Sequence, residues 1–186
     1  MKRLFDIIIS ILLLLILFLP MVIIFIAIKA TSEGKAIYWS ERVGKNNLNF
    51  QMPKFRTMHI NSPEVASHLL ENAHDFYAPL GFILRKYSLD ELPQLITILL
   101  GHMSFVGPRP SLHNQHDLIT LRNQKEVSKL KPGVTGWAQV NGRDELSISE
   151  KVQYDEEYLK RASMSFDIYI IWLTIIKVIK KDGISH

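Results

Sequence analysis

The chain opens on a block of apolar residues with no polar rhythm. From Ile7 to Ile28 there is no charged residue over 22 positions, with Lys2 and Arg3 before the run and Lys29 after it. A helix needs about 20 apolar residues to cross a bilayer, so the pattern predicts a retained membrane helix over residues 1–30. A cleavable leader fits less well: no small-residue cleavage site follows, and the run exceeds the usual apolar core of about 7–15 residues. Pro20 lies two thirds of the way along, and its missing N–H and its ring predict a kink. Basic residues favour the cytoplasmic side of a membrane. With cations at both ends, the segment permits either a plain kinked span or a re-entrant helix that bends at Pro20 and returns to the same face.

After this block the rhythm changes to a period of two. Ile37 and Trp39, then Leu48 and Phe50, flank the turn-prone Gly44–Asn47 and predict a β-hairpin. Lys54 and Arg56, separated by Phe55, fall on one face of the outgoing strand, where a solvated edge is the plain reading. Asn61–Pro79 is polar, holds His68 and His74, and predicts a surface segment. Leu80–Leu100 and Asp117–Leu130 carry helical spacing, with loops GHMSFVGPRP and KPGVTGWAQVNGR marked by glycine and proline. Near the end, Ile168, Ile171, Trp172, Ile175, Ile176 and Ile179 recur at helical spacing before Gly183, which predicts an amphipathic helix with a glycine stop. Tyr169, Trp172, Lys177, Lys180 and Lys181 suit a lipid interface, and packing on the domain's own core fits equally. The whole pattern predicts a mainly α fold with a small β-hairpin (α+β): a Pro-kinked N-terminal membrane helix (residues 1–30) and interfacial amphipathic helices around one compact domain (residues 31–186).

Composition narrows the chemistry. A chain of 186 residues holds one core, or one core plus an anchor. It has no cysteine, hence no disulfide framework and no thiolate metal site, which fits a reducing compartment. The net charge of +4 points to an anionic partner. No aromatic-interleaved basic motif or nucleic-acid module stands out, so a membrane surface and a phosphorylated substrate account for the charge better than nucleic acid does. His113 and His116 are spaced for one helix face but lack a third ligand, so no zinc site is expected. Trp137, beside Gly136, has two readings: packing against backbone, or stacking on a uracil or sugar.

The stretch YSLDELPQL sets two carboxylates, Asp90 and Glu91, side by side between leucines. Ser88 and Glu91 have capping-box spacing, but Pro93 would break a helix capped there. A helix starting near Pro93 is cheaper, since proline is favoured at the first position. The two acids then sit just before its positive end, where they can stay ionised. Arg85 precedes Asp90 by five residues, and Arg109 stands between Pro108 and Pro110, which stiffen its loop. Arginine forks bind phosphate in bidentate fashion. A carboxylate that attacks phosphorus gives an acyl phosphate, and a neighbouring carboxylate suits Mg²⁺, which takes oxygen ligands together with substrate phosphates. Phosphoryl chemistry and a buried structural network both remain open at this point.

The pattern resembles the bacterial sugar transferase family, the small monotopic phosphoglycosyl transferases. The matching blocks are the N-terminal helix with Pro20, PKFRTM, RKYSLDELPQL, GHMSFVGPRP, KPGVTGWAQVNGR and YDEEY, in that order over most of the chain. The resemblance implies transfer of a sugar-1-phosphate from a UDP-sugar to a polyprenol phosphate, with release of UMP, at the cytoplasmic face of a bacterial inner membrane. It implies Asp90 as nucleophile of a two-step exchange, Glu91 working with Mg²⁺, and Arg85 and Arg109 as phosphate-binding residues. Lys54 and Asp155 match further polar positions, and Arg143 is a candidate for the nucleotide side. Direct one-step transfer with Asp90 as a base, and a catalytically silent membrane scaffold, are the alternatives. An exposed interfacial helix is compatible with a homodimer. The sequence departs from the family's Ser–Pro pair in having Leu19–Pro20, so no hydroxyl is available there to satisfy a carbonyl freed by the proline.

Overall fold

Helix α1 runs from Lys2 to Thr31 and continues through Pro20. At 1.5 Å per residue, its 30 residues extend about 45 Å. These and the following features come from a computed structural model that describes residues 1–63, 73–142 and 145–180, the side chains of 73, 74, 179 and 180 excepted. Arg143, His68, Lys181 and Gly183 lie outside the described residues.

One stripe of α1 faces inward. Asp6, Ser10 and Ile28 are buried, and Leu13, Leu14, Leu17, Met21 and Ile24 pack against core residues of the domain. That spacing is one face of a helix, so α1 lies along the domain for most of its length. The opposite face is apolar and exposed, with Leu15 at 73% and Leu19 at 66%. Both ends are tied down. Lys2 Nζ donates to Asp167 Oδ2 at 2.5 Å, to the Tyr158 hydroxyl at 2.8 Å and to the Val106 carbonyl at 3.0 Å. Arg3 donates to the carbonyls of Ile98 and Leu99. At the other end Ile28 packs with Ala36, Phe55 and Leu84.

The predicted hairpin is present as β1 (Ile37–Val43) and β2 (Asn49–Phe55), with Tyr38 opposite Lys54 and Arg42 opposite Phe50. Asn46 and Asn47 turn the chain in the left-handed region, which asparagine tolerates. Two additions were not legible in the pattern. β4 (Ser111–Leu112) joins the free side of β1, and β3 (Ser104–Val106) pairs in parallel with β5 (Gly133–Thr135). Strands of two or three residues are too short to display a period.

The expected helix over Leu80–Leu100 is instead three pieces: α2 (Gly81–Lys86), a single 3₁₀ turn at Leu89–Glu91, and α3 (Gln94–Leu100). Ser88 breaks it by adopting φ 53°, and it caps nothing through its side chain. Pro93 stands immediately before α3, as its ring favours. Asp117–Leu130 is likewise divided. α4 (His116–Gln124) ends before Glu126, at φ 58°, and a 3₁₀ turn follows at Val127–Lys129. The end of the expected surface segment is tied in: Ala78 is buried and its N–H donates to the Thr57 carbonyl. A short α5 (Trp137–Val140) precedes α6 (Ile148–Arg161), which opens with a capping box formed by Ser147 and Glu150. α7 (Met164–Lys180) packs one face on the core, as one of the two readings has it, and leaves the other exposed. Phe166 and Ile170 enter the core with Val106, Val140 and Tyr158, while Ile168, Trp172, Ile175 and Val178 are exposed.

Candidate active site

The break at Ser88 is what presents the acids. In an uninterrupted helix Asp90 and Glu91 would point about 100° apart, with their N–H groups used up inside the helix. On the 3₁₀ turn ahead of Pro93, Asp90 is only 6% exposed and lines a cleft of about 630 Å³. Lys54, Arg85, Arg56 and Arg42 line the same cleft, together with Tyr38 and Ser40. Strand alternation accounts for this: Tyr38, Ser40 and Arg42 on β1 share a face with Lys54 across the hairpin.

Glu91 has a different job. Its Oε1 accepts from Lys54 Nζ at 2.7 Å and lies 3.6 Å from an Arg109 guanidinium nitrogen. Glu91 therefore fixes two cations beside Asp90. Arg85, in the last turn of α2, sits with its guanidinium 5.5 Å from the centre of the Tyr77 ring.

The Arg109 loop is pinned at three consecutive carbonyls. Pro108 accepts from the Gly133 N–H at 2.9 Å, Arg109 from Arg122 at 2.8 Å, and Pro110 from Arg42 at 3.3 Å. Glycine makes the approach possible: a Cβ at Gly133 would lie 2.1 Å from the Gly107 nitrogen, and one at Gly136 would lie 2.1 Å from the Gly107 oxygen. Arg122 is in turn held by Asp155. Its Nε and terminal nitrogen donate to Asp155 Oδ2 at 3.0 and 2.7 Å. Asp155, on α6, is thus fully buried and reaches the acidic pair only through Arg122 and the Arg109 backbone.

Burial pushes the Asp90 carboxyl above the ordinary carboxylate range, with Lys54 the main opposing charge; the Glu91 carboxylate adds to the rise, and Arg85 and Arg109 oppose it. Burial and the like charge of Arg109 lower Arg42 to about 10. A pocket with one carboxylate facing several cations suits a substrate carrying more than one negative charge.

Of the residues singled out in the sequence, Asp90, Glu91, Lys54, Arg85 and Arg109 come together, Asp155 serves as a brace, and Arg143 lies outside the described residues. Pro20 lies inside α1. Arg56 is not on a solvated edge but 9% exposed at the cleft wall. Sequence reasoning missed Arg42 and Arg122. The alternation Tyr38, Ser40, Arg42 carried the signal for the first, and nothing local marked the second. Trp137 packs, with its indole N–H donating to Glu157 Oε2 at 2.8 Å and its ring against Phe166. Among the described residues no group of three carboxylate or histidine side chains forms a metal cage. Glu91 carries hard oxygen donors of the kind that Mg²⁺ takes together with substrate phosphates and water.

A long apolar helix beside a buried carboxylate ringed by cations is an arrangement suited to binding an anionic group. Residues 1–181 match the bacterial sugar transferase family, and the chain belongs to it. It is 38% identical over 185 residues to the UDP-glucose:undecaprenyl-phosphate glucose-1-phosphate transferase of Escherichia coli K12, covering 95% of this chain and 40% of that one. It is 37% identical over 201 residues to the UDP-galactose-lipid carrier transferase of Erwinia amylovora, covering 98% of this chain and 41% of that one. Against the uncharacterised sugar transferase EpsL of Bacillus subtilis it is 36% identical over 188 residues, covering 100% of this chain and 91% of that one. The chain thus spans about two fifths of the first two relatives and nearly all of the third.

Proposed function

We propose that the chain transfers a sugar-1-phosphate from a UDP-sugar to a polyprenol phosphate, releasing UMP and forming a polyprenol diphosphate sugar. The observation that carries this is Asp90, a buried carboxylate at the wall of a cleft whose other charged groups are Lys35, Lys54, Arg85, Arg56 and Arg42. The relatives' names supply the donor and acceptor classes.

The exchange runs in two steps. Asp90 attacks the phosphorus that bears the sugar, a P–O bond to the carboxylate forms, and the bond to the bridging oxygen breaks, so that UMP leaves with that electron pair. An oxygen of the lipid phosphate then attacks the same phosphorus and the bond to Asp90 breaks, restoring the carboxylate. Arg109 and Lys54, held by Glu91, bind and orient the phosphate oxygens. Glu91 would hold Mg²⁺, which would neutralise developing phosphate charge. One-step transfer with Asp90 as a base is weaker chemically. A phosphate monoester with a second pKa near 6 is already largely deprotonated at neutral pH, leaving a base little to remove.

The enzyme acts at the cytoplasmic face of the bacterial inner membrane, at the first lipid-linked step of a surface glycan. α1 enters and leaves on that face, a reading supported by the contacts that both of its ends make with the domain. Its exposed apolar face and the exposed side of α7 rest in lipid.

The test is UMP release by the detergent-solubilised full chain with polyprenol phosphate and Mg²⁺, over a panel that includes UDP-glucose and UDP-galactose, beside Asp90→Asn. Wild type is expected to release UMP and Asp90→Asn none. Donor labelled in the sugar-bearing phosphate, supplied without acceptor, should leave label on wild type. Absence of label alongside full turnover would move Asp90 to the role of base.

A further inference from the structure

Arg56 is a buried cation that the proposed donor chemistry leaves unused. It is 9% exposed, and no carboxylate among the described residues pairs with it. One terminal nitrogen donates to the Ser32 carbonyl at 3.3 Å and to the Ser32 hydroxyl at 2.8 Å. Its Nε is buried and has no hydrogen-bond partner. A guanidinium withdrawn from water without a counter-charge is costly, and a tether to Ser32 uses only one arm of the fork. The arrangement calls for an anion.

Its position indicates which anion. The Arg56 N–H donates to the Ala36 carbonyl at 2.8 Å, which carries the β1–β2 ladder one rung past Phe55. Lys54 and Arg56 therefore keep the same face, one two-residue strand repeat apart, about 7 Å, and both line the cleft that holds Asp90. Lys54 belongs to the Asp90–Glu91 end. Arg56 belongs to the other end, beside Ser32, the residue that follows the C-terminus of α1. Gly34, at φ +90°, leaves the room: a Cβ there would lie 2.3 Å from an Arg56 terminal nitrogen. Ile37, Met58 and Ile60 add apolar lining there, interleaved with Lys35, Thr57, His59 and Ser62. A cation beside the end of the apolar helix and next to Ile37, Met58 and Ile60 matches a phosphate carried on an isoprenoid chain.

We propose that Arg56 binds the phosphate of the lipid acceptor and holds it beside Asp90 for the second step, a separate subsite from the one that Lys54, Arg85 and Arg109 form for the donor. This rests on the transferase reading above. Two groups bound at once need two sets of cations, and the hairpin supplies them at successive inward positions.

The experiment measures steady-state kinetics of the full chain in detergent, varying polyprenyl phosphate at saturating UDP-sugar and the reverse, for wild type, Arg56→Ala and Arg56→Lys. Arg56→Ala should raise KM for the lipid phosphate at least tenfold with the donor KM within twofold, and Arg56→Lys, which keeps charge without the fork, should fall between. Equal rises in both KM values, or no change in either, would overturn the assignment. A binding arm needs no turnover and keeps the proposal separate from the transferase reading. Farnesyl phosphate should raise the melting temperature of wild type more than equimolar inorganic phosphate does, Arg56→Ala should lose that difference, and Arg56→Lys should keep part of it. Equal shifts from the two ligands would make the site a general anion sink and overturn the lipid assignment. If wild type releases no UMP from any UDP-sugar while the farnesyl phosphate shift persists and depends on Arg56, the transferase reading fails and the lipid-phosphate site stands.

Discussion

The Asp155–Arg122 pair offers a sharp test of how the site is built. Asp155 is 1% exposed, the Arg122 side chain is 12% exposed, and the two meet through contacts of 3.0 and 2.7 Å on a single carboxylate oxygen. Asp155→Ala leaves the guanidinium buried and unpaired, and breaking a buried pair in this way costs about 3–5 kcal/mol. For a domain of this size each kcal/mol moves the melting temperature by about 2–4 °C, so the variant should melt about 6–20 °C lower. Replacing both partners with apolar residues of similar size, Arg122→Met with Asp155→Leu, removes the stranded charge. Such replacements are often neutral or stabilising, and the main remaining loss is the bond to the Arg109 carbonyl, about 1 kcal/mol. The double variant should therefore melt within a few degrees of wild type. Because Asp155 acts through Arg122 on the Arg109 backbone, it should also release UMP faster than Asp155→Ala, with a raised donor KM. Circular dichroism melts in detergent, run beside UMP release, decide the matter. A double variant as unstable as the single would refute the brace, and a stable double variant with no UMP release would show that turnover needs the Arg122 bond to the Arg109 carbonyl or Asp155 itself.

Further outcomes follow from the charge arrangement and from α1. Asp90 has a folded pKa raised by burial, so its ionisation costs stability; that cost is absent below the unfolded value of about 3.9 and appears as pH rises through the folded value. Asp90→Asn should accordingly melt at or above wild type at neutral pH while losing UMP release, and a clear drop in melting temperature would contradict the burial argument. In wild type the acid limb of kcat/KM should lie above the ordinary carboxylate pKa. Lys54→Met removes the main charge that holds Asp90 ionised and should move that limb to higher pH; an unmoved limb would show that Lys54 does not set the nucleophile. The natural chain has no cysteine, so single cysteines at positions 1 and 33 can be labelled cleanly. Both should react from the cytoplasmic side alone, and reaction of the two from opposite sides would establish a span.

The sequence carried the chemistry of the site further than its construction. Asp90, Glu91, Arg85 and Arg109 were visible because their types and local spacing are unusual, Lys54 only through the family resemblance, and the hairpin and terminal helices because their periods are long enough to count. What stayed hidden is what depends on distant partners. Arg42 meets the Pro110 carbonyl across 68 residues and Arg122 meets Asp155 across 33, and neither pairing leaves a local mark. The burial of Arg56 was missed for the same reason: its Ser32 partner lies 24 residues earlier, in what the hydropathy pattern assigns to the end of a membrane anchor. Ser88 is different again. Its positive φ is paid for by the tertiary structure around the acids, and a serine between a tyrosine and a leucine gives no sign of it.

Helix α1 is as much a floor for the core as an anchor. Leu13, Leu14 and Leu17 complete the cluster of Phe50, Met52, Leu95, Ile98 and Met103, and Met21, Ile24 and Ile28 complete that of Ala36, Phe55 and Leu84. Fully burying one such side chain contributes about 1.5–3 kcal/mol. Six of them, mostly half-buried, contribute about 5–9 kcal/mol, comparable to the whole stability of an ordinary domain at about 5–15 kcal/mol. The contacts of Lys2, Arg3 and Asp6 are lost with them. A chain shortened to residues 32–186 should therefore fail to form a native core even in detergent, with helical far-ultraviolet signal, weak near-ultraviolet signal and strong binding of a hydrophobic dye. It should also lose the Arg56 site, since Ser32 would become a free terminus. A shortened chain that melts cooperatively and still responds to farnesyl phosphate would mean that the domain is self-sufficient and that α1 is only a tether.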